Sequence, residues 1–350
     1  MNKYLFVQAF LIIIPLTTKV EIWYPLYMPK RVLSGIQPSG KLHIGNYFGM
    51  IKRMVEYQEN TDLFLMVVDL HSLTTLHDPK ELRSLTMEAV KDLLALGLDP
   101  EKSHFWLQSD IPEVTELAWI LSCLTPMGLL ERAHSYKDKI AKGIQPNLAL
   151  FSYPVLMTAD ILINQAELIP VGKDQKQHLE MARDIAIKFN NQYGDTFVVP
   201  EEDIAEDVAV IPGTDGQKMS KSYNNTIPIF GDEKLIKKAV MGIITDSKSV
   251  EECKDPKSCI VFKLYNLFAN EKDCCSLADR YKAGGMGYGD AKKALLEKIM
   301  ETFEPFREKR KYYDEHPEEV QSILDKGTEK VRKISISTLD TVRKAVGIKD

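Results

Sequence analysis

Four short apolar runs, separated by stretches with helical spacing, govern what this chain can fold into. Arg31–Gln37 (RVLSGIQ), Leu63–Asp69 (LFLMVVD), Phe105–Gln108 (FWLQ) and Leu168–Val171 (LIPV) have strand length. The second is apolar almost without interruption, as in strands buried on both faces. Between and after them lie Gly45–Asn60, Pro79–Leu96, Pro112–Leu124, Asn147–Ile163 and Gln175–Phe189. Apolar side chains recur there at helical intervals, as at Leu82, Leu85, Val90, Leu93 and Leu94, and Gly97 suits a helix stop. A strand that crosses over through a helix returns parallel to the first. The pattern therefore predicts an α/β fold, a Rossmann-like parallel sheet covered on both faces. Ligands of such sheets bind beyond the carboxyl ends of the strands.

After about Phe230 the strand-like runs vanish. Lys234–Ile243, Ser258–Ala269, Ala291–Tyr313 and Pro317–Val346 read as helices rich in Lys and Glu, broken by the glycine cluster Gly284–Gly289. The expected organisation is a Rossmann-like domain over 28–229 and an all-helical domain over 230–350. Residues 1–27 contain the apolar run Tyr4–Leu16 with Pro15 inside it. The run is too short to cross a bilayer as a helix, and Lys19 and Glu21 follow without a small-residue cleavage site. This segment is read as an extension outside the fold, with translation starting at Met28; a secretory signal is the alternative.

Net charge is -5, so a polyanion must be met by local Lys and Arg rather than by a global field. The five cysteines, an odd and sparse set in 350 residues, argue for a reducing, cytoplasmic setting rather than a disulfide framework.

Two segments carry chemistry. Ser34–Asn46 leaves the first strand, turns through Gly35, Pro38 and Gly40, and enters a helix near Gly45. A helix start offers unpaired N–H groups to a phosphate, and His43 and Asn46 are donors within reach. Lys218-Met219-Ser220-Lys221-Ser222 follows Gly213 and Gly216. Two lysines three apart on a glycine-tethered loop can neutralise charge on a leaving pyrophosphate. Either segment alone also fits an ordinary turn or a solvated basic loop. Together, in this order on an α/β chain, they point to nucleotide chemistry.

The stretch GIQPSGKLHIGN (Gly35–Asn46) resembles the nucleotide-binding signature of tryptophanyl-tRNA synthetases, with HIGN in place of HIGH. YPVLMTADIL (Tyr153–Leu162), IPVGKDQKQHLE (Ile169–Glu180) and KMSKS are similar to that family in order and spacing, over essentially residues 30–350. The resemblance implies activation of L-tryptophan with ATP and Mg²⁺, transfer to tRNA(Trp), a homodimer, no membrane association, and a helical domain that reads the anticodon. It implies catalytic roles for His43, Asn46, Lys218 and Lys221. ATP would be held by Gln37, Pro38, Ser39, Gly45, Asn46, Gly172, Lys173, Asp174 and Val210, by Lys137 and Lys139, and by Lys218, Met219, Ser220, Lys221 and Ser222. Tryptophan would meet Asp160 at its indole N–H, Met157 and Val171 beside the ring, and Tyr153 and Gln175 at its ammonium and carboxylate. A tyrosyl-tRNA synthetase, a pantothenate-activating nucleotidyltransferase and a non-catalytic tRNA-binding paralogue are the rival readings.

Asp160 is the single charge within LMTADILI. A buried carboxylate demands a donor; indole and phenol each supply one, and so does a partner within the protein. Part of the family carries a four-cysteine iron–sulfur site. Here Cys259 matches its first position and Tyr281, Tyr288 and Ala291 fall at the others, so no cluster is expected and no metal is assigned. His71 is read as a satisfied core histidine, with pocket lining as the alternative, and His178 as structural. The basic runs Arg307–Lys311 and Lys326–Lys333 are read either as tRNA phosphate contacts or as solvated helix faces.

Overall fold

The computed structural model describes residues 29–133, 143, 145, 147–172, 175–204 and 210–350. Lys137, Lys139, Lys173 and Asp174 lie outside them, as do Met28 and the extension over residues 1–27. Five strands, β1 (Arg31–Ile36), β2 (Asp62–Val67), β3 (Ser103–Leu107), β4 (Leu168–Val171) and β5 (Glu201–Ile204), form one sheet in the order β3-β2-β1-β4-β5. Every pairing is parallel, with Val32 opposite Leu63 on one side and Leu168 on the other. The order reverses between β1 and β4, and the crevice opens at that reversal.

β5 has no apolar run, and the sequence pattern overlooked it. Its acidic residues sit on an edge strand, and each meets a base. Glu201 pairs with Lys30 at 3.2 Å, Glu202 with Lys176 at 2.9 Å, and Asp203 with Arg53 at 2.7 Å. The helix Glu271–Ala283 was missed for a similar reason, since polar residues and the Cys274-Cys275 pair interrupt its apolar stripe. Its start is set by Asn270, whose side chain accepts from Asp273 N at 2.9 Å.

The first crossover helix starts at Ile44–Asn46, passes through a π-helical turn at Tyr47–Ile51 and continues as Lys52–Tyr57. The π turn lies next to the nucleotide segment, a common place for such insertions. Leu148–Ile163 begins at Asn147, which accepts from Leu150 N at 2.7 Å. Tyr153, Met157, Asp160 and Ile161 share one face of this helix, as helical spacing dictates, and that face looks into the crevice.

Among the described residues after 230 there are helices and no strand: Glu233–Met241, Ile260–Tyr265, Glu271–Ala283, Tyr288–Glu315 and Pro317–Ala345. They share their core with the sheet. One buried cluster runs from Val32 and Leu63 through Leu295, Phe303 and Leu324. Pro317–Ala345 closes the β3 edge at Gly327, where a Cβ would stand 1.8 Å from Phe105 O. Only glycine permits so close an approach.

Candidate active site

A cavity of about 410 Å³ occupies the reversal point. Its walls come from the end of β1 (Ser34, Gly35, Gln37), from β4 and its exit (Val171, Gly172), and from Tyr153, Met157 and Asp160 on the long apolar helix. Met50, Met66 and Met157 give it an apolar, polarizable surface. Gly35 leaves room at its floor, because a Cβ there would stand 2.9 Å from Val68 Cγ1. Seven residues assigned from the sequence line this one space: Gln37, Tyr153, Met157, Asp160, Val171, Gly172 and Gln175.

Asp160 is 1% exposed. Its two oxygens accept from Gln108 Nε2 at 3.0 and 2.8 Å, and Oδ2 meets His71 Nε2 at 3.1 Å. Burial pushes its carboxyl above the usual range, while His71 and Gln108 pull in the opposite direction. Two internal donors therefore satisfy the charge, and part of its acceptor capacity remains. Gln108, fully buried at the carboxyl end of β3, had been read only as the last residue of a strand. Its signal was a polar side chain at the end of an apolar parallel strand. His71, read as a core histidine, lines the cavity as well as being paired. A one-turn helix, Asp69–Ser72, follows β2 and turns it inward. His178 is 2% exposed and hydrogen-bonds the Tyr153 hydroxyl through Nε2, one layer behind the cavity wall.

Among the described residues, the assigned positions at Pro38–Asn46 and Lys218–Ser222 form a second cluster beside the first. Lys221 Nζ donates to Gly40 O at 2.8 Å and to Ser39 O at 3.2 Å, joining the lysine loop to the turn after β1. Pro38 is buried under this turn, and Ser39 N bonds Gln37 O at 2.8 Å. Gly45 faces the His43 ring and Met219, whose Cβ would lie 3.2 Å from a Cβ at 45. Asn46 Oδ1 accepts from His43 N at 3.1 Å and fixes the helix start. His43 is 6% exposed, and burial beside the Lys221 charge lowers its pKa to about 4. It is therefore a neutral imidazole near pH 7. Burial lowers the Lys221 pKa as well.

The lysine loop is more tightly built than its glycines suggest. Asn225, 2% exposed, accepts from Ser220 N at 2.8 Å and donates to Asp215 Oδ1 at 2.7 Å and Lys218 O at 3.1 Å. Gly213 makes room for it, since a Cβ there would fall 2.2 Å from Asn225 Nδ2. Gly216 takes φ +82 against Ile260. These glycines answer to close packing and a left-handed turn, in addition to any mobility. Lys218 and Ser222 remain exposed, and Val210, at 65% exposed, leads into Ile211, which pairs with Met219.

The four positions compared with an iron–sulfur site do converge, and side chains fill them. Cys259 Sγ lies 3.4 Å from Tyr281 OH, the Tyr281 and Tyr288 rings meet at 6.1 Å, and Ala291 is fully buried. Rings and a methyl offer no further thiolate, so these residues do not fit a cluster. Among the described residues no group of three or more His, Cys, Asp or Glu is placed to hold a metal.

The family profile of tRNA synthetases class I (W and Y) matches residues 28–304. The tryptophan–tRNA ligase of Fusobacterium nucleatum is 54% identical over 320 residues, covering 91% of this chain and 98% of that protein. The one from Rhodopirellula baltica is 50% identical and covered along 100% of its length. A solved tryptophanyl-tRNA synthetase from Campylobacter jejuni, complexed with ADP and tryptophan, superposes with a TM-score of 0.88 at 51% identity, over 91% of this chain and 99% of that one. A tyrosyl-tRNA synthetase from Archaeoglobus fulgidus shares the fold at a TM-score of 0.61 and 19% identity. Two adjoining clusters at the reversal of a parallel sheet and this likeness along most of the chain lead to one assignment: the chain belongs to the class I tRNA synthetases (W and Y).

Proposed function

We propose that this enzyme is a tryptophan–tRNA ligase. It activates L-tryptophan with ATP to tryptophanyl-adenylate and transfers the aminoacyl group to the 3′ end of tRNA(Trp). The observation that carries this reading is a methionine-walled cavity ending on a buried carboxylate, adjoining a lysine-capped nucleotide segment. The indole would lie between Met157 and Val171 with its N–H on Asp160. Tyr153 and Gln175 would then stand at the ammonium and carboxylate.

The amino acid's carboxylate attacks the α-phosphorus of ATP, and pyrophosphate leaves with the bond electrons. No covalent enzyme nucleophile is required, because positioning and charge neutralisation supply the rate. Ser39–Asn46 would seat the phosphates at the helix start. Lys218 and Lys221 would meet the charge that grows on the departing pyrophosphate. We infer that Mg²⁺ arrives with ATP as part of the substrate.

The same reading makes 28–229 the catalytic unit and 230–350 the unit that meets the anticodon. Exposed Lys234, Lys237 and Lys238 support it by offering phosphate contacts. A homodimer is supported by Trp119, Met127 and Leu148, which are 72%, 63% and 79% exposed on elements that pack together. Substrates of this kind support a cytoplasmic setting, and no helix among the described residues is long and apolar enough to cross a membrane. The test is ATP–pyrophosphate exchange with each amino acid in turn. Tryptophan alone should support it, followed by charging of tRNA(Trp). Exchange driven by tyrosine, or none with any amino acid, would sink the proposal.

A further inference from the structure

We propose that Arg307 is a positioning residue for adenylate formation, setting the nucleotide segment in register with the lysine loop from the helical half of the chain. This rests on the activity proposed above. Arg307 opens one of the basic runs that the sequence offered as tRNA contacts, and the structure turns it inward. Its side chain is 15% exposed. Nε donates to Ile229 O at 3.1 Å, and Nη1 donates to Met300 O, two turns back on its own helix, at 3.2 Å.

Ile229 is the residue that gives this contact a consequence. It is fully buried, and its own N–H donates to Leu42 O at 3.3 Å. Two residues earlier, Ile227 O accepts from Ile44 N at 3.0 Å, and His43 and Pro228 form an antiparallel bridge between these bonds. Residues 42–44 and 227–229 are therefore a short ribbon that carries the nucleotide segment on one strand. The chain that enters the other strand comes from Lys221 and Asn225. Arg307 holds the last carbonyl of that ribbon. Its helix is in turn anchored by Arg310, which bonds Asp92 Oδ1 at 2.7 Å and Glu88 Oε2 at 2.5 Å on Pro79–Ala95.

Arg307 is poorly suited to a purely stabilising role. Its Nη2 is buried without a partner among the described residues, and its one ion pair, with Glu304, spans 3.5 Å. An unpaired buried donor is costly, and an apolar side chain of similar length would fill the same space. What the guanidinium adds is a fixed position for Ile229, and through it for Leu42–Ile44.

The experiment is pyrophosphate exchange with ATP and tryptophan varied separately, on the full chain, for Arg307→Met, Arg307→Lys and Ile299→Val. The last variant removes a buried methyl from the same helix while leaving the Arg307 hydrogen bonds in place, and controls for stability. Arg307→Met should lose about tenfold in kcat/KM for ATP while the KM for tryptophan stays within about twofold. Arg307→Lys keeps one donor and should lose about threefold, and Ile299→Val should lose neither. The inference is overturned if Arg307→Met keeps the wild-type kcat/KM for ATP, if both substrates suffer alike, or if Ile299→Val lowers the ATP parameter as much. Should Arg307→Met not fold, Arg307→Lys decides: an ATP-confined loss supports the role, and wild-type ATP kinetics overturn it. Absence of tryptophan-dependent exchange in the wild type would instead remove the proposed function.

Discussion

Replacing Asp160 by Asn separates substrate recognition from structural pairing. The change keeps the shape and exchanges one acceptor oxygen for an NH₂ donor. Asp160 receives Gln108 Nε2 on both oxygens and His71 Nε2 on Oδ2. His71 can change tautomer and accept. Gln108 cannot easily turn its amide, because its Oε1 already accepts from His71 N at 3.3 Å. One internal contact is therefore lost, a cost of about 1–2 kcal/mol in stability. For substrate, the variant offers a neutral carbonyl, or a repelling donor, in place of a carboxylate. A hydrogen bond to a charged group contributes about 1.5–3 kcal/mol, so the KM for tryptophan should rise roughly 10- to 150-fold. The KM for ATP should move by less than about threefold, because Ser39, Gly40 and Gly45 of the nucleotide segment meet Lys221 and Met219. Pyrophosphate exchange at saturating concentrations of each substrate in turn measures both, and denaturant unfolding measures the stability term. An equal rise for both substrates, or stability loss with unchanged tryptophan kinetics, would make Asp160 a structural residue only.

Three further outcomes can be checked. Lys218→Ala and Lys221→Ala should each lower the turnover of adenylate formation by about 10²–10³ while sparing acyl transfer from preformed adenylate; normal turnover at saturation would reduce the loop to a clamp. Lys221→Ala should raise the ATP requirement as well, because it also frees the Ser39 and Gly40 carbonyls. Gly327→Ala should destabilise by at least about 2 kcal/mol, since its Cβ would stand 1.8 Å from Phe105 O on a backbone that cannot swing away; an unchanged melting curve would show that the last helix is not docked on β3. For His43 the folded-state pKa of about 4 lies below the usual 6.5, so folding opposes protonation. Its contribution, about 3 kcal/mol at most, is present above pH 6.5 and is lost as the pH falls towards 4. His43→Asn should flatten the loss of stability on acidification in that window, and an unaltered profile would contradict the burial argument.

Much of the sheet could be read from the chain because its central strands are buried on both faces and admit almost nothing but apolar side chains. β2 shows it directly, with Leu63 to Val67 all apolar and buried. The edge strand β5 obeys a different constraint, charge pairing across distant residues, and period and hydropathy carry no trace of that. The same division runs through the site. Tyr153 and Met157 came from the family resemblance, and Asp160 stood out besides as the lone charge of an apolar helix; helical spacing places all three on one face. The lysine-bearing and glycine-bearing segments stood out because each is a local pattern, a few residues long, and the structure brings them together through Lys221, Ser39 and Gly40. His71 and Gln108 did not, since each is an ordinary polar residue just beyond a strand. Only the parallel pairing of β2 with β3 aligns those strand ends beside the helix that carries Asp160.

By itself, then, the sequence determined the alternation of strand and helix, the two nucleotide-handling segments, and the apolar helix with its lone carboxylate. These rest on interactions between residues near one another in the chain, where spacing is geometry. Tertiary structure alone decided which partners satisfy that carboxylate, which glycines are packing gaps, and which arginines face solvent. Arg307 and Arg310 stand in a run that reads as a basic surface, yet packing of Tyr288–Glu315 against the sheet domain turns both inward. A buried donor is defined by the groups that enclose it, and those lie on segments far away in the sequence.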